Sequence, residues 1–188
     1  MMNKGRLIVI SGPSGVGKGT IVKRLLADCE KLCLSVSATT REPRAEDTEG
    51  VTYFFKTKEE FRSMIDKGEF LEWAMYNGNY YGTPIDAVQK RLNDGFDVLL
   101  EIEVCGAMDV MKKCPDALAI FIAPPSIEDL QKRLTERGSE TPEEIASRVS
   151  AATAEIDMRD KYNYIVVNNV LDDAVSAIKD IIEGIDKI

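Results

Sequence analysis

The sequence predicts an α/β fold in which a parallel sheet carries helices on both faces. Short apolar runs, rich in β-branched residues, alternate along the chain with stretches of helical spacing, which is the pattern of βα units. Residues 7–26 also combine a strand, a glycine-rich turn, a lysine and a helix in that order. Parallel strands are joined by right-handed crossovers, and their ligands bind at the carboxyl ends of the strands. We therefore expect the functional residues at that edge of the sheet.

The first strand is predicted at residues 7–10, and the turn after it reads Gly-Pro-Ser-Gly-Val-Gly-Lys and ends at Lys18. This pattern indicates a P-loop, in which glycines allow backbone N–H groups to face phosphate oxygens and the lysine reaches the β- and γ-phosphates. The pattern requires Ser or Thr directly after the lysine, whereas this chain has Gly19 there and a hydroxyl at Thr20. An ordinary glycine-rich turn is the alternative, but the flanking strand and helix favour a nucleoside triphosphate site.

The next part of the chain predicts a small, partly antiparallel flap. A second strand at residues 34–37 leads into a loop that carries Arg41 and Arg44. Short β-like pieces follow at residues 51–55, 70–76 and 80–82, and a helical stretch lies at 58–67. Asn77-Gly78 favours a hairpin turn between the last two pieces. These short pieces differ in length and polarity from the buried parallel strands around them.

The rest of the chain returns to alternating helices and strands. Pro84 suits the first turn of a helix that ends near residue 93, before Gly95. Apolar runs predict strands at residues 96–103, 118–122 and 164–168. Helical spacing and capping boxes predict helices at 104–113, 126–137, 141–159 and 173–186. Alternation along the 96–103 strand puts Glu101 and Glu103 on the same side.

Composition argues against several classes of function. With 32 Asp and Glu against 24 Lys and Arg, the 188-residue chain has a formal net charge of −8, which argues against nucleic acid or an anionic membrane as a partner. The chain contains no histidine, so a zinc site and a nucleophile paired with histidine are not expected. The four cysteines form no CxxC pair and are interpreted as reduced thiols. Without an 18-residue apolar run or a signal peptide, a cytoplasmic location is expected.

The basic residues have two interpretations. Arg41 and Arg44 follow a strand end, where two guanidinium groups make a clamp for a phosphate, although two solvated loop arginines are about equally expected. Arg133 and Arg137 lie four apart on one helical face, and Arg148 lies on the next helix. Arginines suit the spread charge of a transferring phosphoryl group. Without further information, surface salt bridges with glutamates of the same helices explain these last three better.

The carboxylates also have competing interpretations. Glu101 stands at a strand end, where P-loop proteins place an acid close to the metal. Glu72 and Glu103 are candidates to read a base, because guanine presents donors at N1 and N2 that acceptor-only carboxylates fit. Ordinary solvated acids are the alternative, and they are less expected at Glu101 and Glu103, where an apolar strand ends. Three tyrosines either pack within the flap or donate their hydroxyls to a phosphate: Tyr53, Tyr80 and Tyr81.

Taken together, these stretches resemble guanylate kinases over essentially the whole chain. The resemblance is carried by residues 12–18, 35–44, 69–73, 78–83, 100–103, 121–126 and 133–138. Many families share the P-loop, but the arginine segment at 35–44 and the tyrosine segment at 78–83 are together close to diagnostic. The resemblance implies a P-loop NTPase-type parallel sheet with helices on both faces, an inserted flap that binds a nucleoside monophosphate (NMP), and a helical lid.

The resemblance also implies a reaction. It is the ATP-dependent, in-line phosphorylation of GMP, and of dGMP, to the diphosphate in purine nucleotide metabolism, with Mg²⁺. A single guanylate kinase-like domain over residues 1–188 is implied, with its core at about 1–36, 97–125 and 160–188, the GMP-binding flap at about 37–96 and the lid at about 126–159. The expected partners are ATP and GMP, with no nucleic acid and no membrane, for a monomer or small homo-oligomer.

The site residues follow from the same resemblance. The ATP site would contain Gly12, Pro13, Ser14, Gly15, Val16, Gly17, Lys18, Gly19, Thr20 and Asn168. The GMP phosphate would be held by Arg41, Arg44, Tyr53 and Tyr81, and guanine would face Ser37, Glu72, Thr83 and Glu103. Catalysis would depend on Lys18, Arg41, Arg133, Arg137 and Arg148. The metal would be held by Thr20 and Glu101.

The chain departs from the family pattern at three positions. Glu103 stands where aspartate is usual, Cys105 where glutamine is common, and Gly19 where serine is commoner. Another nucleoside monophosphate kinase, suggested by the Gly-Lys-Gly-Thr run, is an alternative that Glu72 and Glu103 disfavour. A second alternative is an interaction module of the same fold without catalysis. Such modules typically lose parts of the P-loop or of the arginine set, and this chain keeps both.

Overall fold

A computed structural model describes residues 4–137 and 141–184 of the protein, apart from the side chain of Arg137. Its strands are β1 Leu7–Ser11, β2 Leu32–Leu34, β3 Ser37–Thr39, β4 Tyr53–Phe55, β5 Phe70–Tyr76, β6 Asn79–Pro84, β7 Asp97–Glu101, β8 Leu118–Ala123 and β9 Tyr164–Val167. Its helices are α1 Lys18–Asp28, α2 Lys58–Asp66, α3 Ile85–Asn93, α4 Val104–Lys113, α5 Ile127–Arg137, α6 Pro142–Ile156 and α7 Leu171–Glu183. A short 3₁₀-helix lies at Arg159–Lys161. No helix among the described residues is long and apolar enough to span a membrane.

The strands of the described residues form two sheets. One sheet has five strands in the order β2-β7-β1-β8-β9, and the other has four in the order β4-β3-β6-β5. In the five-stranded sheet, β2 pairs with β7, β1 with β8, and β8 with β9, all in parallel. The α/β fold with a parallel sheet predicted from the sequence is therefore confirmed.

The chain divides into two compact units. The first unit consists of Met1–Leu7, Lys31–Leu100 and Cys105–Ala117, and the second of Ile8–Glu30, Glu101–Val104 and Leu118–Ile188. The flap expected at about 37–96 falls within the first unit, together with helix α4. The lid expected at about 126–159 falls within the second.

The second unit contains strands whose residues are buried on both faces. Ile8, Val9 and Ile10 of β1 are fully buried, as expected for a parallel strand covered on two sides. Helix α7 buries an apolar stripe that includes Val175 and Ile178. Helices α5 and α6 share an apolar cluster formed by Leu130, Leu134, Ile145 and Ala152. This cluster packs together the two helices that carry the candidate lid arginines, Arg133, Arg137 and Arg148.

The first unit contains the four-stranded sheet, which mixes strand directions. Strands β3 and β4 are parallel, whereas β6 pairs antiparallel with β3 and with β5. The β5–β6 hairpin turns at Asn77 and Gly78, with φ angles of 47° and 76°, the left-handed pair that an Asn-Gly turn supplies. Phe61 of α2 stacks between the rings of Phe70 and Tyr80, with centroids 4.4 Å and 5.3 Å away. This aromatic stack is the core of the flap.

Three details of the sequence prediction are wrong. The strand predicted at 34–37 is two short strands, β2 and β3, in different sheets, because the chain leaves the parallel sheet between Leu34 and Ser37. Pro84 ends β6 and is the N-cap of α3, so it does not lie in the first turn of that helix. Strand β7 ends at Glu101, so the alternation that placed Glu103 beside Glu101 does not apply.

Candidate active site

The glycine-rich turn after β1 forms a tight loop that ends at the first residue of α1. Gly12 has a φ of 147°, and a Cβ there would lie 2.2 Å from the Ile122 carbonyl oxygen. Gly17, the N-cap of α1, has a φ of 96°, and a Cβ there would lie 2.7 Å from Asn168 Nδ2. The Asn168 amide donates to the Val16 carbonyl oxygen at 2.8 Å. The loop therefore requires glycine at both positions and is tied down by Asn168.

Lys18 is buried within this loop. Its Nζ donates to the carbonyl oxygens of Gly12 and Pro13, the second at 3.2 Å, and lies 3.8 Å from Glu103 Oε2. A cavity of about 580 Å³ adjoins it, lined by residues of the 13–20 loop together with Glu101, Glu103 and Arg133. The ammonium group of Lys18 thus donates to loop carbonyls, and a phosphate can replace these carbonyls as the acceptor.

Carboxylates surround the ammonium group. Burial raises the pKa of Glu101. The positive charge of Lys18 lowers this pKa, and the negative charge of Glu103 raises it. Burial also raises the pKa of Glu155, on α6, and Glu103 raises it further while Lys18 lowers it. The sequence did not reveal this electrostatic coupling of Glu155 to Lys18 and Glu103, because one glutamate on an amphipathic helix resembles any solvated one.

The metal site predicted at Thr20 and Glu101 consists of a hydroxyl and a carboxylate that both line the cavity. A Cβ on Gly19 would lie 3.4 Å from Glu101 Oε1, so the position after the lysine does face this carboxylate. Among the described residues there is no group of three or more Asp, Glu, His or Cys side chains that could hold a metal alone. That donor set fits Mg²⁺, which is usually bound by one or two carboxylates, water and substrate phosphates.

Two candidate lid arginines contact residues that form the loop or support it. Arg133 Nη2 donates to the Asn168 carbonyl oxygen at 2.8 Å, and Arg148 Nη1 donates to Ser14 Oγ at 3.5 Å. Neither contact is the glutamate salt bridge that the sequence alone favoured. The side chain of Arg137 lies outside the described residues, so its predicted role stays a prediction.

The first unit holds the other predicted site residues. Arg41 Nη2 contacts Asp47 Oδ2 at 2.8 Å, and Arg41 Nη1 donates to the Glu42 carbonyl oxygen at 2.8 Å. Its guanidinium lies over the ring of Tyr53, 5.3 Å from the centroid. Asp47 also accepts from the Arg44 backbone N–H at 2.7 Å, and this bond, with the Arg41 contact, lowers the pKa of Asp47. Asp47 was missed because the acidic loop around it reads as solvated.

Strand pairing brings the remaining candidates together. Ser37 is the register partner of Tyr53, and the rings of Tyr53 and Tyr81 meet edge-on with centroids 6.1 Å apart. Glu72 is buried, and its Oε1 accepts a 2.6 Å hydrogen bond from the hydroxyl of the fully buried Thr83. Burial raises the pKa of Glu72, and the Thr83 hydrogen bond lowers it.

Two further residues have positions that bear on the predictions. Tyr80 packs in the flap core, so of the three tyrosines it takes the packing role. Glu103 lies beside Lys18 with its side chain 68% exposed, in the loop between β7 and α4. Its predicted contact with guanine stays a prediction.

Comparison with known proteins adds independent information. The sequence model of the guanylate kinase family matches residues 4–185. The guanylate kinase of Clostridium perfringens is 52% identical over 180 residues, which cover 96% of this chain and 83% of that one. That of Bacillus subtilis is 50% identical over 183 residues, covering 97% and 90%.

A solved structure agrees with these relatives. The crystal structure of guanylate kinase from Anaplasma phagocytophilum covers 99% of this chain and 88% of its own, with a TM-score of 0.72 and 31% identity. Because the family model spans almost the whole chain and the relatives are about half identical to it, this chain belongs to the guanylate kinase family.

Proposed function

We propose that this chain transfers a phosphoryl group from ATP to GMP, forming ADP and GDP, with ATP bound by the 12–20 loop and GMP bound by the four-stranded sheet. The observation that carries the guanine assignment is the buried carboxylate of Glu72, oriented by the Thr83 hydroxyl. A carboxylate accepts from the N1 and N2 donors of guanine and repels the N1 acceptor of adenine.

The donor site is built from Lys18 and the loop amides. Lys18 exchanges its bonds to the Gly12 and Pro13 carbonyls for phosphate oxygens. Arg133 and Arg148, already in contact with Asn168 and Ser14, and Arg137 add positive charge where the transferring group is negative. The Asn168 side chain supports the loop from behind and lies near adenine.

The acceptor site has two ends. Arg41, Arg44, Tyr53 and Tyr81 hold the phosphate of GMP, and the cation–aromatic contact of Arg41 with Tyr53 keeps that guanidinium in place. Ser37, Glu72, Thr83 and Glu103 face the base. Deoxyguanosine monophosphate fits the same contacts, since none of these assignments uses the 2′-hydroxyl, and we propose it as a second substrate.

Thr20 and Glu101 would hold Mg²⁺, which would neutralise charge on the triphosphate. The hydroxyl of Thr20 and the carboxylate of Glu101 are oxygen donors of the kind that Mg²⁺ prefers. Gly19 contributes no hydroxyl, so Glu101 carries more of the task of orienting the ion than it would beside a serine.

The reaction requires no general base. The attacking oxygen belongs to a monophosphate that is largely dianionic at neutral pH, and this explains how a chain without histidine performs the reaction. The residues must align two polyanions, offset their repulsion and exclude water. We propose that residues 126–159 act as a lid and residues 37–96 as a GMP-binding flap on the core, because ATP would otherwise be hydrolysed. A cytoplasmic location, where both nucleotides and reduced thiols occur, completes the proposal.

The proposal is tested by a coupled ADP-release assay with GMP, AMP, CMP and UMP as acceptors. We expect turnover with GMP and little with the others. Equal rates with AMP would contradict the guanine assignment and favour another nucleoside monophosphate kinase. The non-catalytic interaction module is tested separately by titration calorimetry with MgATP, because failure to bind ATP would favour it.

A further inference from the structure

Strand β5 contains a bulge at Glu72, the carboxylate proposed to read the base. Phe70 is the register partner of Pro84, whereas Trp73 is the partner of Gly82. Three steps along β5 therefore oppose two along β6, so one extra residue lies in the Leu71–Glu72 segment. A bulge leaves backbone groups without ladder partners and re-aims the side chain beside it. Pro84 has no N–H to donate across the ladder.

A lysine from helix α4 takes up the carbonyls of this bulge. Lys113 Nζ donates to the carbonyl oxygen of Phe70 at 2.9 Å and to that of Leu71 at 2.7 Å. These are the two residues before Glu72. The ammonium group thus replaces the strand partner that the bulge and Pro84 withhold.

The same face of α4 also meets the carboxylate. Gly106 lies two turns before Lys113, and a Cβ there would lie 3.1 Å from Glu72 Oε2. Asp109 lies between them at helical spacing. One oxygen of Glu72 therefore faces Thr83 and the other faces the first turns of α4. A side chain at Gly106 would crowd this second oxygen.

We propose that Lys113 is a positioning residue for Glu72 and that the α4 face of Gly106, Asp109 and Lys113 sets the position and the charge of the carboxylate that reads guanine. This inference rests on the proposed contact of Glu72 with guanine. Lys113 itself touches neither substrate.

Charge matters because an ionised carboxylate accepts from both guanine donors, whereas a protonated one does not. Burial raises the pKa of Glu72, and the charged groups that act on it are Asp109, which raises the pKa, and Lys113, which lowers it. Removal of Lys113 therefore raises the pH at which Glu72 becomes able to bind guanine. Removal of Asp109 lowers that pH.

The test measures kcat/KM for GMP against pH in the wild type, Lys113→Met and Asp109→Asn. This parameter reports groups of the free enzyme and free substrate, and the titration of GMP itself, with a pKa of about 6, is common to all variants. We expect the acid limb to move to higher pH in Lys113→Met and to lower pH in Asp109→Asn. At neutral pH, Lys113→Met should raise KM for GMP about fivefold or more, with KM for ATP unchanged.

Two variants serve as controls. Lys112→Met removes the same charge from the adjacent, exposed position and should leave the acid limb in place. Lys113→Arg keeps the charge and should restore the wild-type limb. An acid limb that stays fixed in both Lys113→Met and Asp109→Asn would overturn the inference, even if thermal stability falls. If Lys113→Met does not fold, the shift in Asp109→Asn still decides.

Glu72→Gln separates this inference from the function on which it rests. If Glu72→Gln leaves KM for GMP unchanged, the guanine contact of Glu72 is wrong and the role of α4 fails with it, whereas the proposed reaction is decided by the ADP-release assay. If it raises KM while the α4 variants leave the acid limb in place, only the role of α4 fails. In the Glu72→Gln background, Lys113→Met should no longer move the acid limb, which would support the proposal directly.

Discussion

Replacement of Arg41 by methionine tests whether the arginine loop binds the acceptor phosphate. The guanidinium presents five N–H donors, and its contacts with Asp47 and Glu42 use two of them. The others remain for a ligand, and the ring of Tyr53 fixes the plane of the group. Methionine retains most of the side-chain length and removes the donors and the charge.

The expected loss follows from the number of bonds. Each hydrogen bond to a charged group contributes about 1.5–3 kcal/mol, and Arg41 is partly exposed, so the lower end applies. Two such bonds to a phosphate amount to about 3 kcal/mol, or about a hundredfold in KM for GMP. KM for ATP should change less than about twofold, because no donor of the 12–20 loop is altered.

The assay determines kcat and KM for GMP at saturating ATP, and KM for ATP at saturating GMP. Arg62→Met is the matched control, because this substitution removes the same charge from the same unit. Arg62 also lies over a tyrosine ring, 6.0 Å from the centroid of Tyr80. We expect the control to leave both KM values unchanged. Equal losses for GMP and ATP in Arg41→Met would refute the assignment of this arginine to the acceptor site.

Three further predictions concern individual contacts. Gly19→Ser should lower the Mg²⁺ concentration for half-maximal activity by about tenfold or less, since its side chain would enter at 3.4 Å from Glu101; a magnesium titration that matches the wild type would contradict this. Thr83→Val should raise KM for GMP about tenfold by leaving a buried oxygen of Glu72 without its donor, whereas an unchanged KM would show that Thr83 does not support guanine binding. Burial raises the pKa of Glu155, so the wild type loses stability as pH rises through the folded-state pKa of this group. Glu155→Gln should therefore unfold at a higher denaturant concentration than the wild type at about pH 8 and at the same concentration at about pH 4, and a difference that does not change with pH would refute this.

The parts of the site that follow from local sequence could be predicted. The turn from Gly12 to Lys18 requires a specific backbone, and only its glycines supply the φ angles that the structure shows. The Asn77-Gly78 hairpin is local in the same way. Such features depend on neighbours along the chain, so the sequence itself contains the information.

The parts that depend on distant neighbours could not be predicted. Glu103 was placed by strand alternation, but β7 ends two residues earlier and the chain turns into α4. Asp47 and Lys113 have no distinctive sequence context, and their contacts appear only when the loop folds back on Arg41 and the helix meets the β5 bulge. A lysine near a helix end normally reads as a solvated residue that favours the helix dipole.

The charge around the triphosphate site explains why an acidic protein needs more than its P-loop lysine. Lys18 and Arg133 line the cavity with positive charge, and Glu101 and Glu103 line it with an equal number of carboxylates. Among the described residues the formal charges of this lining therefore cancel, and their side-chain charge alone does not attract a free triphosphate. The backbone N–H groups of the loop and a divalent cation must supply the difference. A site balanced in this way favours the metal-bound nucleotide over the free one, because only the metal-bound form gives the carboxylates a favourable partner.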